Sequence, residues 1–172
     1  MLTKTTEMAI QVLCILALQG EDADPISPRL LAERLDASPS YMAKVTGLLV
    51  RAGILQATRG IHGGVQLMHR PERVTLLDVT EACQGKLLGD YCQDAVVISQ
   101  TCAFHRAMDD LHSAIVGALQ RWTISDLAAQ PEPAPALRGV ARCKMEKVAQ
   151  SLRKSRERAT ARAADDADRK DK

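Results

Sequence analysis

The fold is decided by residues 27–64, which read SPRLLAERLDASPSYMAKVTGLLVRAGILQATRGIHGG. Ser27-Pro28 and Ser38-Pro39 each precede apolar residues at helical spacing. In each pair the serine can cap a helix whose first residue is the proline. The pattern predicts one helix over about 28–35 and a second over about 39–52, which ends at Gly53. Two helices joined by so short a turn are typical of a helix-turn-helix motif.

Two short strands are predicted directly after this motif. Residues 54–57 and 65–68 favour extended structure, and three glycines between them permit a sharp reversal of the chain. The connection is also basic. A helix-turn-helix followed by a basic, glycine-rich hairpin predicts a winged helix-turn-helix domain, a fold that is mainly α with a small β-hairpin.

Further helices are predicted on both sides. Residues 5–19 are apolar on most faces and predict a buried helix, and Thr75 with Asp78 forms a capping-box variant that begins another. After an irregular stretch over 85–101, a long amphipathic helix is expected over about 103–121. Its apolar face holds Met108, Leu111, Ile115, Ala118, Leu119 and Trp122. Its partner is either its own copy in a homodimer or the rest of its own domain, and we favour the homodimer.

Three regions follow from this order of elements. We expect residues 1–84 to be the winged-helix domain, 85–128 a cysteine-containing loop with the dimerisation helix, and 129–172 a proline-containing linker with a basic, partly disordered tail. Residues 1–137 hold 11 Lys/Arg and 15 Asp/Glu, a net charge of −4, whereas residues 138–172 hold 12 and 6, a net charge of +6. A weak apolar stripe predicts a marginal helix near 138–160. We expect the tail to be either solvated or a basic arm attracted to nucleic acid.

Composition excludes several other classes. No apolar run reaches the ~18 residues that cross a bilayer, and no cleavable leader is recognisable, so a cytoplasmic protein with no membrane partner is expected. Five cysteines without paired spacing argue against a secreted disulfide scaffold. Cys102 and His105 could imitate a nucleophilic pair, but no orienting carboxylate, phosphate loop or cofactor fingerprint accompanies them. We therefore expect no enzymatic activity.

Several segments together resemble one protein family. They are the first helix from Leu2-Thr3-Lys4 onward, Ser38-Pro39-Ser40-Tyr41, and three further stretches at 48–55, 59–64 and 122–127. The family comprises bacterial winged-helix regulators, among them the iron–sulfur regulator IscR and the nitric-oxide sensor NsrR. The resemblance covers about residues 1–128 and leaves out the tail. It implies a homodimeric transcription factor of the repressing kind that binds double-stranded DNA.

The resemblance also implies which residues contact DNA. The recognition helix would enter a major groove from its first turns, and the wing arginine would enter the adjacent minor groove. Small wing residues would let the backbone approach the duplex. The expected contacts are Ser38, Ser40, Tyr41, Lys44, Arg51, Arg59, Gly60, His62, Gly63 and Gly64.

The cysteines suggest how binding is controlled. Family members with an iron–sulfur cluster carry three cysteines before the dimerisation helix, and here residues 95–99 replace the middle one. A cluster would use Cys92, Cys102, His105 and Glu7, with Glu7 donated across the dimer, or Cys83 as another thiolate. The alternatives are a thiol switch, control by a small ligand, or cysteines that are simply buried. Cys14 is expected in the core. A winged-helix module that binds protein or a small ligand is the remaining alternative to a DNA-binding regulator.

Overall fold

The structure, a computed structural model, describes residues 2–20, 23–60, 63–87, 101–137 and 143–154. Cys92 and His62 lie outside the described residues. The chain is mainly helical with one two-stranded antiparallel hairpin, as predicted. The elements are α1 (Lys4–Ala17), α2 (Pro28–Leu35), α3 (Pro39–Arg51), β1 (Leu55–Thr58), β2 (Gly64–Leu67), α4 (Leu76–Gln84), α5 (Ala103–Arg121) and α6 (Ile124–Ala129), with 3-10 turns at Pro71–Arg73 and Pro135–Leu137.

Helix α1 lies at the centre of the fold. It contacts α3, α4, α6 and β2, and apolar residues on most of its faces are buried, among them Ala9, Val12 and Leu13. Cys14 is fully buried as well, and burial raises the pKa of its thiol to about 12. Such a thiol stays protonated and acts as a small apolar side chain. The predicted placement of Cys14 in the core is confirmed.

The two Ser-Pro pairs cap α2 and α3 as predicted. The Ser27 side chain accepts a hydrogen bond from the backbone N–H of Leu30 at 3.2 Å, and Ser38 accepts one from Tyr41 at 3.3 Å. Asp36 follows α2 with a positive φ of 51°, which turns the chain sharply toward α3. Buried leucines of α2 then meet the apolar face of α3, so the helix-turn-helix forms one packed unit.

The hairpin forms one residue away from each predicted position. β1 pairs with β2 in the register Leu55 to Leu67 and Thr58 to Gly64. Ile26 adds a third, one-residue bridge, because its backbone N–H and C=O both bond to Val65, at 3.1 and 2.8 Å. No extended segment was predicted before α2, so this bridge was not foreseen. The wing is therefore tied to the chain segment that enters the helix-turn-helix.

The start of α4 and the end of α5 are held together. Thr75 caps α4 through a complete capping box with Asp78, as predicted, and Thr123 caps α6 in the same way with Asp126. The Leu76 N–H bonds to the Trp122 carbonyl at 2.9 Å, which pairs the two caps side by side. Helix α5 thus returns to the domain beside the start of α4. Its C-terminus is fixed to the winged-helix body.

Helix α5 is only partly covered by the described part of the chain. Against the described part of the chain, none of its residues is fully buried, and it contacts α4. Leu111 and Phe104 are 53% and 63% exposed. Trp122 lies just after the helix in extended conformation and is also exposed, rather than continuing the helical face. The helix presents an apolar surface to its surroundings.

Residues 143–154, here called the C-terminal segment, pack against the domain. Residues 146–154 are helical, Val148 is fully buried in the main core, and Ala149 and Ser151 are also buried. The expectation of a solvated tail is therefore wrong for this segment. The weak apolar stripe indicated a helix correctly but did not indicate that it packs on the core. Among the described residues, no helix is both long and apolar enough to cross a membrane.

Candidate DNA interface and cysteine site

The N-terminus of α3 is exposed and carries several hydroxyl groups. Ser38 and Ser40 are exposed with their Oγ atoms 3.3 Å apart, whereas Tyr41 is half-buried and packs against the core. The Ser38 oxygen accepts from the Tyr41 N–H, and one of the two serine hydroxyls donates to the other, so one hydroxyl proton of the pair stays available to an acceptor. The first turn of a helix also presents backbone N–H groups and positive dipole to an anion. This end of α3 suits a phosphate or the edge of a base.

A polar stripe runs along the exposed side of α3. Ser40, Lys44, Gly47 and Arg51 recur every three or four residues and so lie on one face of the helix. The Arg51 guanidinium reaches back over Gly47, since a Cβ built there would lie 3.6 Å from its Nη1. The opposite face holds residues expected in the core and found buried, Met42, Val45 and Leu49. The structure therefore places Lys44 and Arg51 on one exposed face of α3, away from the core.

The wing tip exposes Arg59 and Gly60, and Gly60 has a positive φ of 115°. At positions 63 and 64 the packing of the wing itself explains why the residue is glycine. A Cβ on Gly63 would lie 2.3 Å from the Thr58 carbonyl oxygen, and one on Gly64 would lie 2.5 Å from the backbone of the Ile26 bridge. Glycine is thus required at both positions by the chain's own backbone, independently of any approach of DNA.

Helix α3 and the wing are both basic and lack acidic residues. From residue 37 to residue 71 the sequence contains no Asp or Glu, while it contains Lys44, Arg51, Arg59 and Arg70. The rest of residues 1–137 is acidic. Positive charge concentrated on one exposed helix and the adjacent hairpin attracts the phosphates of a duplex.

Cys102 belongs to a second candidate site, in which it is the N-cap residue of α5. It is exposed, and its Sγ lies 2.9 Å from Nδ1 of His105. The nearby backbone N–H of His105, followed by its ring, lowers the pKa of Cys102 to about 7. A larger fraction of this thiol is therefore ionised at neutral pH than in an ordinary cysteine. A solvent-exposed thiolate beside an imidazole can attack an electrophile or bind a soft metal.

The proposed cluster ligands are not assembled in the described part of the chain. No group of three or more His, Cys, Asp or Glu residues suited to a metal occurs among the residues that the structure describes. Glu7 instead accepts a hydrogen bond from Lys144 at 2.9 Å. Cys83 is half-buried near the Thr6 hydroxyl, and burial raises the pKa of its thiol, which disfavours ligation. Among the described residues, the structure brings together only one thiolate and one imidazole as donors. A two-iron cluster needs four ligands, so this pair alone is not sufficient.

The helix-turn-helix, its wing and their shared positive face define a winged-helix DNA-binding protein. Residues 2–130 match the model of a family described as Rrf2, iron-dependent transcriptional regulator. The chain therefore belongs to the Rrf2 family of transcriptional regulators, and the family resemblance noted in the sequence is confirmed.

Relatives cover the same region. The HTH-type transcriptional repressor NsrR of Streptomyces coelicolor is 29% identical over 132 residues, which cover 76% of this chain and 89% of the relative. The solved structure of CymR, the global cysteine regulator of B. subtilis, superimposes with a TM-score of 0.63 at 21% identity, covering 75% of this chain and 96% of that one. IscR of T. potens has a TM-score of 0.60 at 21% identity, covering 77% and 88%. These two structures support the fold.

Proposed function

We propose that this chain acts in the cytoplasm as a homodimeric repressor whose affinity for its operator is set by the redox state of Cys102. The observation that carries the proposal is the Cys102–His105 pair, with its distance of 2.9 Å and a pKa of about 7. The pair begins the same helix that offers the dimerisation surface. A chemical change at Cys102 therefore acts directly on the element that sets the spacing of two DNA-binding domains.

Operator binding would use the two exposed basic elements. The α3 stripe from Ser38 and Ser40 to Lys44 and Arg51 would lie in the major groove, with Tyr41 beside it. Arg59 and the wing backbone around Gly60, with His62, would follow the minor groove, whose negative potential is strongest where A/T tracts narrow it. Phosphate contacts of this kind position the protein, and base contacts of the first α3 turns supply the sequence preference.

The dimer would form along α5. This helix has nineteen residues and is therefore about 28 Å long, and its apolar side chains are only half-covered by the chain's own residues. Leu111, Met108 and Ile115, with Leu87 and His112, line one mostly apolar groove. A symmetric dimer would cover this surface with the same surface of a second copy.

Oxidation of Cys102 would proceed by a balanced two-electron step. The thiolate sulfur attacks one oxygen of a hydroperoxide, the O–O bond breaks, and the leaving alkoxide takes a proton, so that a sulfenic acid and an alcohol or water form. A second thiol then displaces hydroxide from sulfur, which yields a disulfide and water. The second thiol is that of Cys92 or that of Cys102 in the other protomer. The His105 ring, whose Nδ1 lies 2.9 Å from the sulfur, is positioned to stabilise the thiolate by donating a hydrogen bond, and solvent water supplies the proton that the leaving alkoxide takes.

Coupling to DNA follows from the connections of α5. Its C-terminus is tied through Trp122 to Leu76 at the start of α4. Helix α4 in turn contacts α1 and α3. A covalent constraint at the N-terminus of α5 that rotates the helix would therefore shift one winged-helix body relative to the other. The effector site and the DNA site would share one element with two arrangements.

An iron–sulfur cluster is the second candidate signal. The adjacent thiolate and imidazole on one helical turn favour it, since both are ligands of iron in such clusters. Cys92, Cys102, His105 and Glu7 would hold the cluster, and Glu7 would have to leave Lys144 to take part. When bound, such a group would supply a redox-active and nitric-oxide-reactive centre at the start of α5.

The test compares DNA binding of reduced and oxidised protein. Duplexes are first selected from a random-sequence pool with the reduced chain, and affinity is then measured before and after treatment with hydrogen peroxide. We expect oxidation to change the affinity of the unaltered chain at least tenfold and to leave Cys102→Ser unchanged. Cys143→Ser, which removes a half-buried thiol of the C-terminal segment, serves as the matched control. An equal response in Cys102→Ser would refute the thiol mechanism.

Two further measurements separate the candidates. The alkylation rate of Cys102 by iodoacetamide should rise with pH with a midpoint near 7. His105→Ala should raise that midpoint toward 9, but not fully, because the backbone N–H remains. Protein purified without oxygen is also analysed for visible absorption, iron and sulfide. About one cluster per protomer that is lost in Cys102→Ser would favour the cluster over the thiol switch.

A further inference from the structure

The C-terminal segment, residues 143–154, lies beyond the residues 2–130 that the family model matches, yet it completes the core. Val148 is fully buried, Ala149 is 2% exposed, and Met145 packs on the same cluster. An accessory tail that only increased net charge would not need buried apolar side chains. The segment is therefore a structural part of the DNA-binding domain.

Polar contacts fix where this segment lies. Near its start, the Gln11 side-chain amide donates to the Lys144 carbonyl at 2.6 Å, and the Lys144 ammonium donates to Glu7 at 2.9 Å. Near its end, Arg153 pairs with Glu132 at 3.1 Å. The helical residues 146–154 are thus held against α1 at one end and against the linker that precedes them at the other.

Between these contacts, Lys147 reaches the turn of the helix-turn-helix. Its Nζ donates to the backbone carbonyl of Leu35 at 3.0 Å and to the Asp36 carboxylate at 3.3 Å. Leu35 is the last residue of α2, whose C-terminal carbonyls carry negative partial charge, so an ammonium group is stabilising there. Asp36 holds a positive φ of 51°, a conformation that L residues disfavour. Lys147 therefore binds the turn at the residue with the disfavoured backbone conformation.

We propose that Lys147 is a positioning residue for DNA binding: it fixes the α2–α3 turn, and through it the orientation of the recognition helix, without contacting DNA itself. Asp36 stands two residues before Ser38, the N-cap residue of α3, so a shift of the turn is passed on to the first turns of that helix. The inference rests on the proposed role of α3 as the recognition helix. The ammonium group is directed at Asp36 and the Leu35 carbonyl, which are partners within the protein.

The test uses the full chain and a duplex selected with it from a random-sequence pool. Lys147→Ala is compared with Lys154→Ala, which removes an equal charge from an exposed position of the same helix. We expect Lys147→Ala to weaken binding about three- to tenfold, the size of an exposed ion pair combined with a helix-end contact, with an unchanged dependence of log Kd on log salt. Lys147→Arg, which can donate to the same carbonyl and carboxylate, should restore affinity. Lys154→Ala should leave affinity unchanged.

Amide hydrogen exchange of the free protein supplies an independent readout. Exchange at residues 36–41 should be faster in Lys147→Ala than in the unaltered chain, and unchanged in Lys154→Ala. A salt slope that falls by about 1 in Lys147→Ala, with unchanged exchange, would instead make Lys147 a phosphate contact and overturn the proposal. Unchanged affinity and unchanged exchange would also overturn it.

Lys44→Ala separates this inference from the proposed DNA interface. If Lys44→Ala binds the selected duplex normally, the assignment of α3 as the recognition helix fails, whatever Lys147 does. If Lys44→Ala loses affinity and Lys147→Ala does not, only the positioning role fails. If no duplex can be selected at all, the exchange measurement on residues 36–41 still decides whether Lys147 holds the turn.

Discussion

Leu111→Ala should weaken the proposed dimer without harming the folded monomer. Leu111 lies near the middle of α5 and is 53% exposed against the described part of its own chain. It borders the apolar groove that also contains Met108 and Ile115. Because the side chain supports little of the protomer's own core, truncating it removes surface that matters only when a second copy covers α5.

The size of the effect follows from the area that remains exposed. Complete burial of a leucine contributes about 1.5–3 kcal/mol, so covering the remaining half of Leu111 contributes about 0.8–1.5 kcal/mol. A twofold dimer contains two copies of the residue, which together contribute about 1.5–3 kcal/mol. Alanine retains only Cβ. Since each 1.4 kcal/mol changes an equilibrium constant tenfold, Leu111→Ala should raise the dimer dissociation constant about 10- to 100-fold.

Sedimentation velocity over a range of protein concentrations measures this constant directly. Ser113→Ala is the matched control, because Ser113 is exposed two residues further along α5 and points to a different side of the helix. Thermal unfolding of the two variants checks that the protomer stays folded. A dimer dissociation constant that is the same for Leu111→Ala and the unaltered chain would show that the two protomers do not meet along this face.

Three further outcomes test the fold and the interface. Ser27→Ala and Ser38→Ala each remove one N-cap and should each cost about 1 kcal/mol of stability in urea unfolding. Only Ser38→Ala should also weaken binding to a selected duplex. Equal binding losses in the two variants would argue against a direct contact of Ser38 with DNA. Gly64→Ala should lower the free energy of unfolding by about 1–3 kcal/mol because its Cβ would overlap backbone. Gly47→Ala should raise the free energy of unfolding by about 0.5–1 kcal/mol, because Gly47 lies in a helix and a Cβ there meets only ordinary contacts. The opposite order of stability would contradict the described wing packing. Val148→Ala should cost about 2 kcal/mol in the same assay, while a change below about 0.5 kcal/mol would mean that the C-terminal segment is not docked in solution.

Local signals made the helix-turn-helix predictable. The Ser-Pro pairs at 27–28 and 38–39 and the Thr75 capping box each report their helix start within four residues of sequence, and the structure has the same caps. The juxtaposition of Cys102 and His105 is local in the same way, because residues three apart at the start of a helix lie on one side of it. Such features depend on backbone geometry that neighbouring residues determine.

Features that join distant parts of the chain were not predictable from one sequence. The bridge at Ile26 depends on Gly64, whose missing Cβ leaves room for another backbone 38 residues earlier, and the glycine alone indicates only a turn. Glu7 was expected to serve as a cluster ligand. The structure pairs it with Lys144, 137 residues away. The sequence pattern does not indicate which acidic residue a lysine of the C-terminal segment will pair with, because the packing of the helices determines that pairing.

These pairings give a second explanation for the uneven distribution of charge along the chain. An acidic body with a basic tail suggested attraction of the tail to nucleic acid, yet in the described structure cations of the C-terminal segment pair with acids of the body. The pairs are Lys144 with Glu7, Lys147 with Asp36, and Arg153 with Glu132. The segment thereby neutralises acids around the domain. The acid-free stretch from residue 37 to residue 71 keeps its own charge for a different partner. Because the Asp36 carboxylate just before α3 pairs with Lys147, the basic residues of α3 and the wing have one fewer unpaired acid beside them in the assembled domain.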